Sequence, residues 1–221
     1  MKDILLLLRS NTVFASLNEA EIAEFAQLAR GRMYQKGEFL CLHGDLWPYL
    51  FIVARGIIDA QKESTEGRSL LIATFEKGEL FWGLAFFDEN TAMPVTLEAR
   101  ETSHVYLWSR SQCQPFFIQH GALSWELSRL MAQRMLHASE IVEGLAFMPV
   151  AQRLARLLLE QYPANHLAIE RHLTLDEMAA RIGSTREMVC RILYRFAAQG
   201  AIQINRTEFV FKDRQMLEDY K

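Results

Sequence analysis

Hydrophobic positions along this chain of 221 residues change their period twice. Residues 3–30 carry apolar side chains at helical spacing, whereas between about 32 and 110 short β-branched and aromatic runs alternate with glycine-bearing turns. After about residue 111 the pattern becomes irregular and then helical again. It predicts an α+β chain with an antiparallel β-roll behind an N-terminal helical segment. Turns are expected at Gly37, Gly44, Gly56, Gly67 and Gly78, and strands at 49–54, 57–61, 69–75 and 96–109.

One long helix follows the roll, and its seam repeats alternately every four and three residues from Leu127 to Met148. Three heptads of this kind predict a parallel two-stranded coiled coil, and therefore a homodimer. The alternative is a helix packed on its own domain, and a second apolar stripe through Leu130, Leu136 and Val142 indicates that both occur. Arg134 interrupts the seam, either as a register device or as one end of a polar contact. The predicted interface residues are Leu127, Met131, Arg134, Ala138, Ile141 and Leu145.

Proline at position 149 ends the long helix, because proline disfavours helical geometry in the residue before it. We expect a domain boundary and a hinge at Met148–Pro149. The predicted domains are a β-roll domain with its N-terminal helix over 1–120, a dimerisation helix over 121–148 and a C-terminal domain over 149–221. In the last of these, residues 201–204 and 208–212 predict a two-stranded wing around Asn205–Arg206.

The stretch from Leu173 to Phe196 predicts two short helices joined by a tight turn at Gly183. Thr174 precedes Glu177 by three residues and Ser184 precedes Glu187 by three, so each pair is a predicted capping box. The exposed face of the second helix is expected to carry arginines, and Arg181 to Arg195 holds four of them against one glutamate. A capped helix with a basic outer face is typical of a major-groove reader.

Composition adds three constraints. Net charge is −3 and half of the residues are hydrophobic, as in an ordinary soluble globular protein. The three cysteines are scattered and odd in number, so no disulfide framework is predicted. The apolar run at residues 4–8 is too short to span a membrane and lacks a signal-peptide cleavage site. We therefore expect a soluble cytoplasmic protein without a membrane partner.

A glycine-punctuated roll, a long helix, a hinge and a winged helix-turn-helix together resemble the CRP/FNR superfamily of bacterial transcription regulators. The resemblance covers nearly the whole chain and is carried by KGEFLCLHGD, LFIVARGII, KGELFWGLAFFD, GLAFMPVAQRLARLLL and LTLDEMAARIGSTREMVCRIL. It implies a jelly roll like that of cyclic-nucleotide-binding domains and a homodimer on palindromic double-stranded DNA. It also implies an effector bound in the roll and RNA polymerase as a further partner.

Three residues of the second helix stand where family members carry base-contacting side chains: Arg186, Glu187 and Arg191. Arginine can donate to guanine O6 and N7, and glutamate can accept from the cytosine amino group. The resemblance therefore implies a half-site close to TGTGA. For Glu187 the alternative is a capping role alone. Contacts to backbone phosphates are expected from Ser184, Thr185, Thr174 and Arg206.

The effector site departs from the family pattern. Nucleotide-binding members carry Gly-Glu and then Arg-Ser, for the ribose hydroxyl and the cyclic phosphate. Here Gly83 is followed by Leu84, and Met93–Pro94 occupies the Arg-Ser position. This disfavours cyclic AMP, and three cysteines with none before Cys41 exclude a one-subunit iron–sulfur cluster.

Residues 80–87 are instead rich in aromatic side chains, which would suit an apolar effector, either a haem or an aromatic acid. Axial histidines for haem would come from His43, His104, His120 or His137, none in a diagnostic spacing. The alternative is that these aromatic residues form only the core of the roll, in which case the protein is a ligand-independent regulator. The predicted pocket residues are Phe81, Trp82, Leu84, Phe86, Phe87, Met93 and Arg100.

An enzyme of the cupin kind would need a close His-x-His in the roll, and the sequence has none. A nucleophile elbow, a phosphate loop and a paired-carboxylate motif are also missing. We therefore predict no catalytic residues, no metal site and no enzyme activity.

Overall fold

A computed structural model describes residues 2–65, 67–162 and 168–220. The chain divides into two compact units. The first contains the residues up to Lys62 together with Ile72–Ala138, and the second contains Glu63–Leu71 together with the residues from Ser139 onward.

The first unit begins with two short helices, α1 (Lys2–Ser10) and α2 (Glu19–Gln27), with a 3₁₀ turn at Thr12–Phe14 between them. Asn18 caps α2, and its side chain forms a reciprocal capping box with Glu21. The predicted helical segment at 3–30 is therefore interrupted, because the cap starts a new helix.

Between Arg30 and Ser109 the described residues form eight strands in two four-stranded antiparallel sheets. The sheet orders are β1-β8-β3-β6 and β2-β7-β4-β5. Residues Glu101 and Arg100, just after β7, break the predicted strand 96–109 into two. The strands are β1 (Arg30–Tyr34), β2 (Phe39–Cys41), β3 (Tyr49–Arg55), β4 (Ile58–Glu63), β5 (Ser69–Phe75), β6 (Leu80–Trp82), β7 (Thr96–Ala99) and β8 (Ser103–Ser109).

All five predicted turn glycines have positive φ angles. Gly56 shows most clearly why a side chain is excluded there: φ is +86°, and a Cβ would lie 2.7 Å from the Cα of Ser103. The buried Ser103 hydroxyl accepts a hydrogen bond from the Ile57 amide at 3.1 Å, which fixes the β3–β4 turn against the start of β8.

Alternate residues of β3 enter different cores, as the two-residue period of a strand requires. Phe51 and Val53 point into the roll, whereas Leu50 and Ile52 pack with the N-terminal helices and Trp108. The Trp108 indole donates to the carbonyl of Phe25 at 2.8 Å. One sheet thus separates the roll interior from a second apolar core.

Two helices follow the roll, α3 (Arg110–Gln119) and the long α4 (Gly121–Phe147). Only Leu123 and Leu127 of α4 are buried in the single chain. Most apolar side chains of α4 are therefore exposed to solvent, which is unusual for a helix of this length in a single chain.

The second unit contains α5 (Val150–Gln161), α6 (Leu175–Ile182), α7 (Arg186–Ala198) and α8 (Arg214–Glu218). Its sheet has the order β10-β11-β9, formed by Ile202–Ile204, Glu208–Phe211 and Ala168–Glu170. The two predicted wing strands are present, and β9 was not predicted. Its core is closed by Tyr162, Phe196 and Phe209.

Candidate nucleic-acid interface

Local sequence chemistry positions the first helix of the helix-turn-helix. The Thr174 hydroxyl accepts from the Glu177 amide at 3.2 Å, and Glu177 accepts from the Thr174 amide at 2.7 Å. The predicted capping box is therefore present. Gly183 ends α6 with φ +59° and ψ +50°, a left-handed C-cap that a glycine adopts at little cost.

The second predicted capping box is wrong by one residue. Thr185, not Ser184, is the N-cap of α7, and its hydroxyl accepts from the Met188 amide at 3.2 Å. Ser184 lies in the turn, where its amide donates to the Ala179 carbonyl. Glu187 is therefore the second residue of α7 rather than the third, and the predicted reciprocal box with Ser184 does not form.

The outer face of α7 carries the predicted base-contacting residues, because Val189, Ile192, Leu193 and Phe196 bury the opposite face. Arg186, Glu187 and Arg191 are all exposed. Arg186 donates to Asp176 of α6 at 2.9 Å, whereas Arg191 has no ion pair within the described part of the chain. Hydrogen bonds from its own backbone amide and from the Thr185 hydroxyl lower the pKa of Glu187, so this carboxylate is ionised at neutral pH.

Sequence reasoning missed Tyr194. Its side chain is 66 % exposed and lies one helical turn beyond Arg191 on the same face. It also borders a shallow surface with Gln203 and Lys212 at the base of the wing. Its exposure could have been inferred from the three- and four-residue spacing of Glu187, Arg191 and Tyr194.

The remaining predicted DNA contacts lie at the edges of this surface. Thr174 is exposed at the start of α6, while Ser184 and Thr185 are half-buried in the turn. Arg206 is exposed in the loop between β10 and β11. All seven predicted DNA-contacting residues therefore belong to one compact unit, with hydroxyls and a guanidinium around the α7 face.

Two family models match this chain. The Cyclic nucleotide-binding domain matches residues 31–120, and the Crp-like helix-turn-helix domain matches residues 152–220. Together they cover the roll and then the helix-turn-helix with its wing, which is the order of domains in one family of regulators. This chain is a member of the CRP/FNR family. It is accordingly a DNA-binding transcription regulator and not an enzyme.

Full-length relatives agree with this assignment. The Cyclic AMP receptor protein of Thermus thermophilus is 24% identical over 96% of this chain and 97% of its own. The cAMP-activated global transcriptional regulator Vfr of Pseudomonas aeruginosa is 27% identical over 83% of this chain and 90% of its own. The structure of the c-di-GMP responsive regulator CLP of Xanthomonas campestris has the same fold. It covers 88% of this chain and 99% of its own, with a TM-score of 0.77 and 21% identity.

In this CRP/FNR regulator the predicted seam of α4 is divided between burial and exposure. Leu127 is buried, and Arg134 donates to Glu79 of the roll at 3.2 Å with its guanidinium 5.0 Å above the Phe75 ring. Arg134 is thus the end of a polar contact within its own chain. Ile141 is half-buried, while Met131, Ala138 and Leu145 are exposed.

The exposed apolar residues define a stripe displaced from the predicted seam. Successive steps of three and four residues connect Met131, Met135, Ala138, Val142 and Leu145, which we call the α4 stripe. These five positions lie within about 80° of one another around a helix with 3.6 residues per turn. Leu136, by contrast, is 64 % exposed but lies on the other side of α4.

The predicted effector residues of the regulator are not brought into one cavity. Phe81 and Met93 face the roll interior, where Phe81 packs on Phe75 with ring centroids 4.5 Å apart. Trp82 and Phe86 belong to the other core. Leu84 and Phe87 are 36 % and 44 % exposed.

Arg100, one of the predicted pocket residues, is already paired. Its guanidinium donates to both carboxylate oxygens of Asp59, at 2.7 and 2.6 Å, and to the Thr74 hydroxyl at 3.2 Å. Gly83 is excluded from bearing a side chain because a Cβ would lie 1.8 Å from the Trp47 carbonyl oxygen. This close approach explains the glycine without any nucleotide.

Part of the aromatic segment opens onto a different cavity. Phe86 and Phe87 line an apolar space of about 250 Å³ between the 3₁₀ turn at Leu84–Phe86, α3 and α4. Its other walls include Phe117, Ile118, Leu127 and Met131. None of the described histidines lines it.

Among the described residues there is also no cluster that could hold a metal ion and no helix able to cross a membrane.

Proposed function

We propose that this CRP/FNR regulator is effector-responsive and acts as a homodimer on a palindromic operator. The proposal depends first on the face of α7, where an ionised Glu187 and an unpaired Arg191 are one turn apart and both exposed. Arginine and glutamate at this spacing suit guanine and cytosine on neighbouring base pairs. This supports a half-site close to TGTGA.

Arg186 is the third base-reading residue in this proposal, once it exchanges Asp176 for DNA. The ion pair is exposed on both sides, with 61 % and 67 % of the two side chains accessible. Such a pair contributes about 0–1 kcal/mol, so a bidentate contact with guanine can replace it. Ser184, Thr185, Thr174 and Arg206 would contact backbone phosphates, and Tyr194 would join them.

The dimer is proposed on the α4 stripe. Val142 and Met135 are 65 % and 73 % exposed, an unusual cost for a row of apolar side chains in a single chain. Pairing with a parallel second copy of α4 would bury the α4 stripe of each chain and place two α7 helices on one operator. Leu145 also packs against the turn at Gly183, so pairing of the stripe would affect the reading unit directly.

The effector is proposed to be a small apolar molecule rather than a cyclic nucleotide. Leu84 and Met93–Pro94 offer no group for a ribose hydroxyl or a cyclic phosphate, so the cAMP named in two relatives is not carried over to this chain. The cavity beside Phe86 and Phe87 supports a largely apolar ligand, since the Ser124 and Ser128 hydroxyls in its wall already donate to carbonyls and Gln114 is the remaining polar lining residue. Met131 belongs to both this cavity and the α4 stripe, so a ligand there would alter the dimer interface.

A haem effector is less well supported, because an axial imidazole is missing from the cavity wall. A ligand-independent regulator is the remaining alternative, in which the roll acts only as a scaffold. We place the regulator in the cytoplasm with RNA polymerase as its further partner, as in the family it belongs to.

Selection from random duplexes tests the operator. Full-length protein should enrich inverted repeats with TGTGA-like half-sites, at a stoichiometry of two chains per duplex. Enrichment of single, unrepeated half-sites would contradict the dimer. Enrichment of repeats without the guanine and cytosine positions would contradict the assignment of Arg191 and Glu187.

A further inference from the structure

A second surface of the roll carries two arginines that form no ion pair with a carboxylate of the described residues. Arg30 and Arg32 lie on β1, the edge strand of its sheet, and pair in register with Leu107 and Val105 of β8. Both arginines are exposed, and neither forms an ion pair within the described residues. Most other arginines of the first unit do pair with carboxylates: Arg9, Arg100, Arg110, Arg129 and Arg134.

These two arginines border a groove of about 460 Å³ that is separate from the apolar cavity described above. This volume is in the usual range for small-molecule sites. Its walls combine aromatic rings with hydroxyl and amide groups, and no carboxylate lines it. The remaining lining residues are Tyr34, Trp47, Tyr49, Leu107, Ser109, Ser111 and Gln112.

The aromatic side of the groove is rigid. Trp47 and Tyr34 are 8 % and 3 % exposed, so each presents only an edge or face while the rest of the ring is held in the core. Trp47 packs on Tyr49 with ring centroids 5.5 Å apart. A planar apolar ligand could therefore be buried here without reorganising the wall.

The charged side is also partly ordered. The Arg32 guanidinium lies 5.0 Å from the centre of the Tyr34 ring and also hydrogen-bonds to the Tyr34 side chain, which restricts its rotation. At the other end, Ser109 donates to Gln112 at 2.7 Å and lies 3.3 Å from the Ser111 hydroxyl. Guanidinium donors suit a carboxylate, which can accept two parallel hydrogen bonds.

We infer that this groove binds a small aromatic carboxylate, with the carboxylate on Arg30 and Arg32 and the ring against Trp47 and Tyr49. The site is independent of the proposed apolar effector and of operator recognition. A negative result would leave both of those proposals unchanged.

Calorimetric titration of the full-length protein tests the inference with 1-naphthoate and its neutral counterpart 1-naphthylmethanol. We expect 1-naphthoate to bind about tenfold more tightly or better, because only the anion can use the two guanidinium groups. The double variant Arg30→Gln/Arg32→Gln should lose about tenfold in affinity for 1-naphthoate and nothing for 1-naphthylmethanol. Its thermal unfolding should be unchanged, since both side chains are exposed.

Arg55→Gln is the matched control. Arg55 is also exposed on the roll and forms no ion pair with the residues that the structure describes, but it does not line the groove. Equal affinities of the two naphthalene probes for the wild type would overturn the inference. So would a double variant that binds 1-naphthoate like the wild type, or an Arg55 variant that loses as much as the double variant.

Discussion

In the proposed interface, Arg191 is the residue on which recognition of the DNA sequence would depend most directly. It is exposed on α7, one turn beyond Glu187, and has no ion pair in the described residues to compete with DNA. A guanidinium in this position has its donors free before it meets a base, whereas Arg186 must first leave Asp176.

Replacing Arg191 with alanine should cost about 1–3 kcal/mol on the specific operator and leave non-specific binding nearly intact. The reason is that a base contact is lost while most phosphate contacts remain. Fluorescence anisotropy with operator and scrambled duplexes, at one fixed salt concentration, measures both affinities. Equal losses on the two duplexes would show that Arg191 contacts phosphate instead.

Gly183 matters to stability through both its backbone and its surroundings. Its φ of +59° disfavours any side chain, and a Cβ there would meet Leu145 Cδ2 at 2.5 Å and Leu70 Cδ1 at 3.1 Å. Gly200 has a φ of +85° but no atom within 4 Å of its Cβ position.

Gly183→Ala should therefore destabilise the protein by about 1–3 kcal/mol, from backbone strain together with overpacking. Gly200→Ala should cost less, about 1 kcal/mol, because only the backbone is strained. Urea denaturation followed by circular dichroism compares the two. If both variants lose the same free energy of unfolding, the contact with Leu145 and Leu70 has no energetic weight.

At the scale of elements, the α4–α5 junction is held by one side chain. Arg153 Nη1 of α5 donates to the carbonyls of Gly144, Leu145 and Met148 at 3.1–3.2 Å, which adds a side-chain donor at the end of α4, where Gly144 also accepts from the Met148 amide. The hinge predicted at Met148–Pro149 is consequently crossed by three hydrogen bonds.

Arg153→Ala should lower the free energy of unfolding by about 1–3 kcal/mol, because it removes the side-chain donor that these three carbonyls share. Arg156→Ala is the control on the same helix. Arg156 forms an ion pair with Glu160 at the surface, and its replacement should cost about 0–1 kcal/mol. Similar losses in the two variants, measured by the same denaturation, would argue against a role for Arg153 at the junction.

The α4 stripe differs from the predicted seam by a small rotation of the helix. Leu127 and Arg134 turn toward the roll, so Met135 and Val142 take their place on the exposed side. The predicted seam and the α4 stripe therefore make different predictions about which residues contact a second copy of the chain.

Val142→Asp should convert the dimer to monomer, since a buried carboxylate at the centre of an apolar interface is costly. Leu136→Asp is matched in exposure, 64 % against 65 %, but lies off the stripe and should remain dimeric. Light scattering after size exclusion, at low micromolar concentration, reports the mass. A dimeric Val142 variant would exclude the stripe as the interface.

For the whole molecule, the proposed trigger is a ligand bound in the cavity beside Phe86 and Phe87. An apolar wall without an imidazole favours a colourless apolar ligand over haem. Freshly purified protein should show no Soret band, and neither should protein that was mixed with haem and then freed of unbound haem by gel filtration. A stoichiometric Soret band would overturn the apolar-effector proposal in favour of haem ligation by a histidine outside the cavity.

Oxidation of a cysteine thiol is a second way in which such a regulator could respond to a signal. Burial raises the pKa of both Cys41 and Cys113 to about 12, so the reactive thiolate is scarce at neutral pH. Cys190 is the half-buried one and lies on α7. Oxidant sensing through Cys41 or Cys113 is therefore disfavoured.

Short-range chemistry made much of this protein predictable from its sequence. The capping box at Thr174 and Glu177, the glycine turns and the amphipathic face of α7 depend on residues at most a few positions apart, and all are present. The displaced cap at Thr185 shows the limit of this reasoning. Two adjacent hydroxyl residues both suit an N-cap, and the choice between them follows from where the Gly183 turn ends.

Only the tertiary structure decided how the distant parts meet. Arg100 pairs with Asp59 and Thr74, which lie 41 and 26 residues earlier, because antiparallel register brings β4 and β5 beside the end of β7. In the same way Arg134 bonds to Glu79 of the roll and Leu127 is buried in the core of the first unit, so the α4 stripe is the side of the helix that remains exposed. Sequence by itself determined the family, the helix-turn-helix and its reading face, since these follow from local periodicity and capping. Strand register and helix rotation are set by packing between residues far apart in the chain, and they determined which side chains remain free for a partner or a ligand.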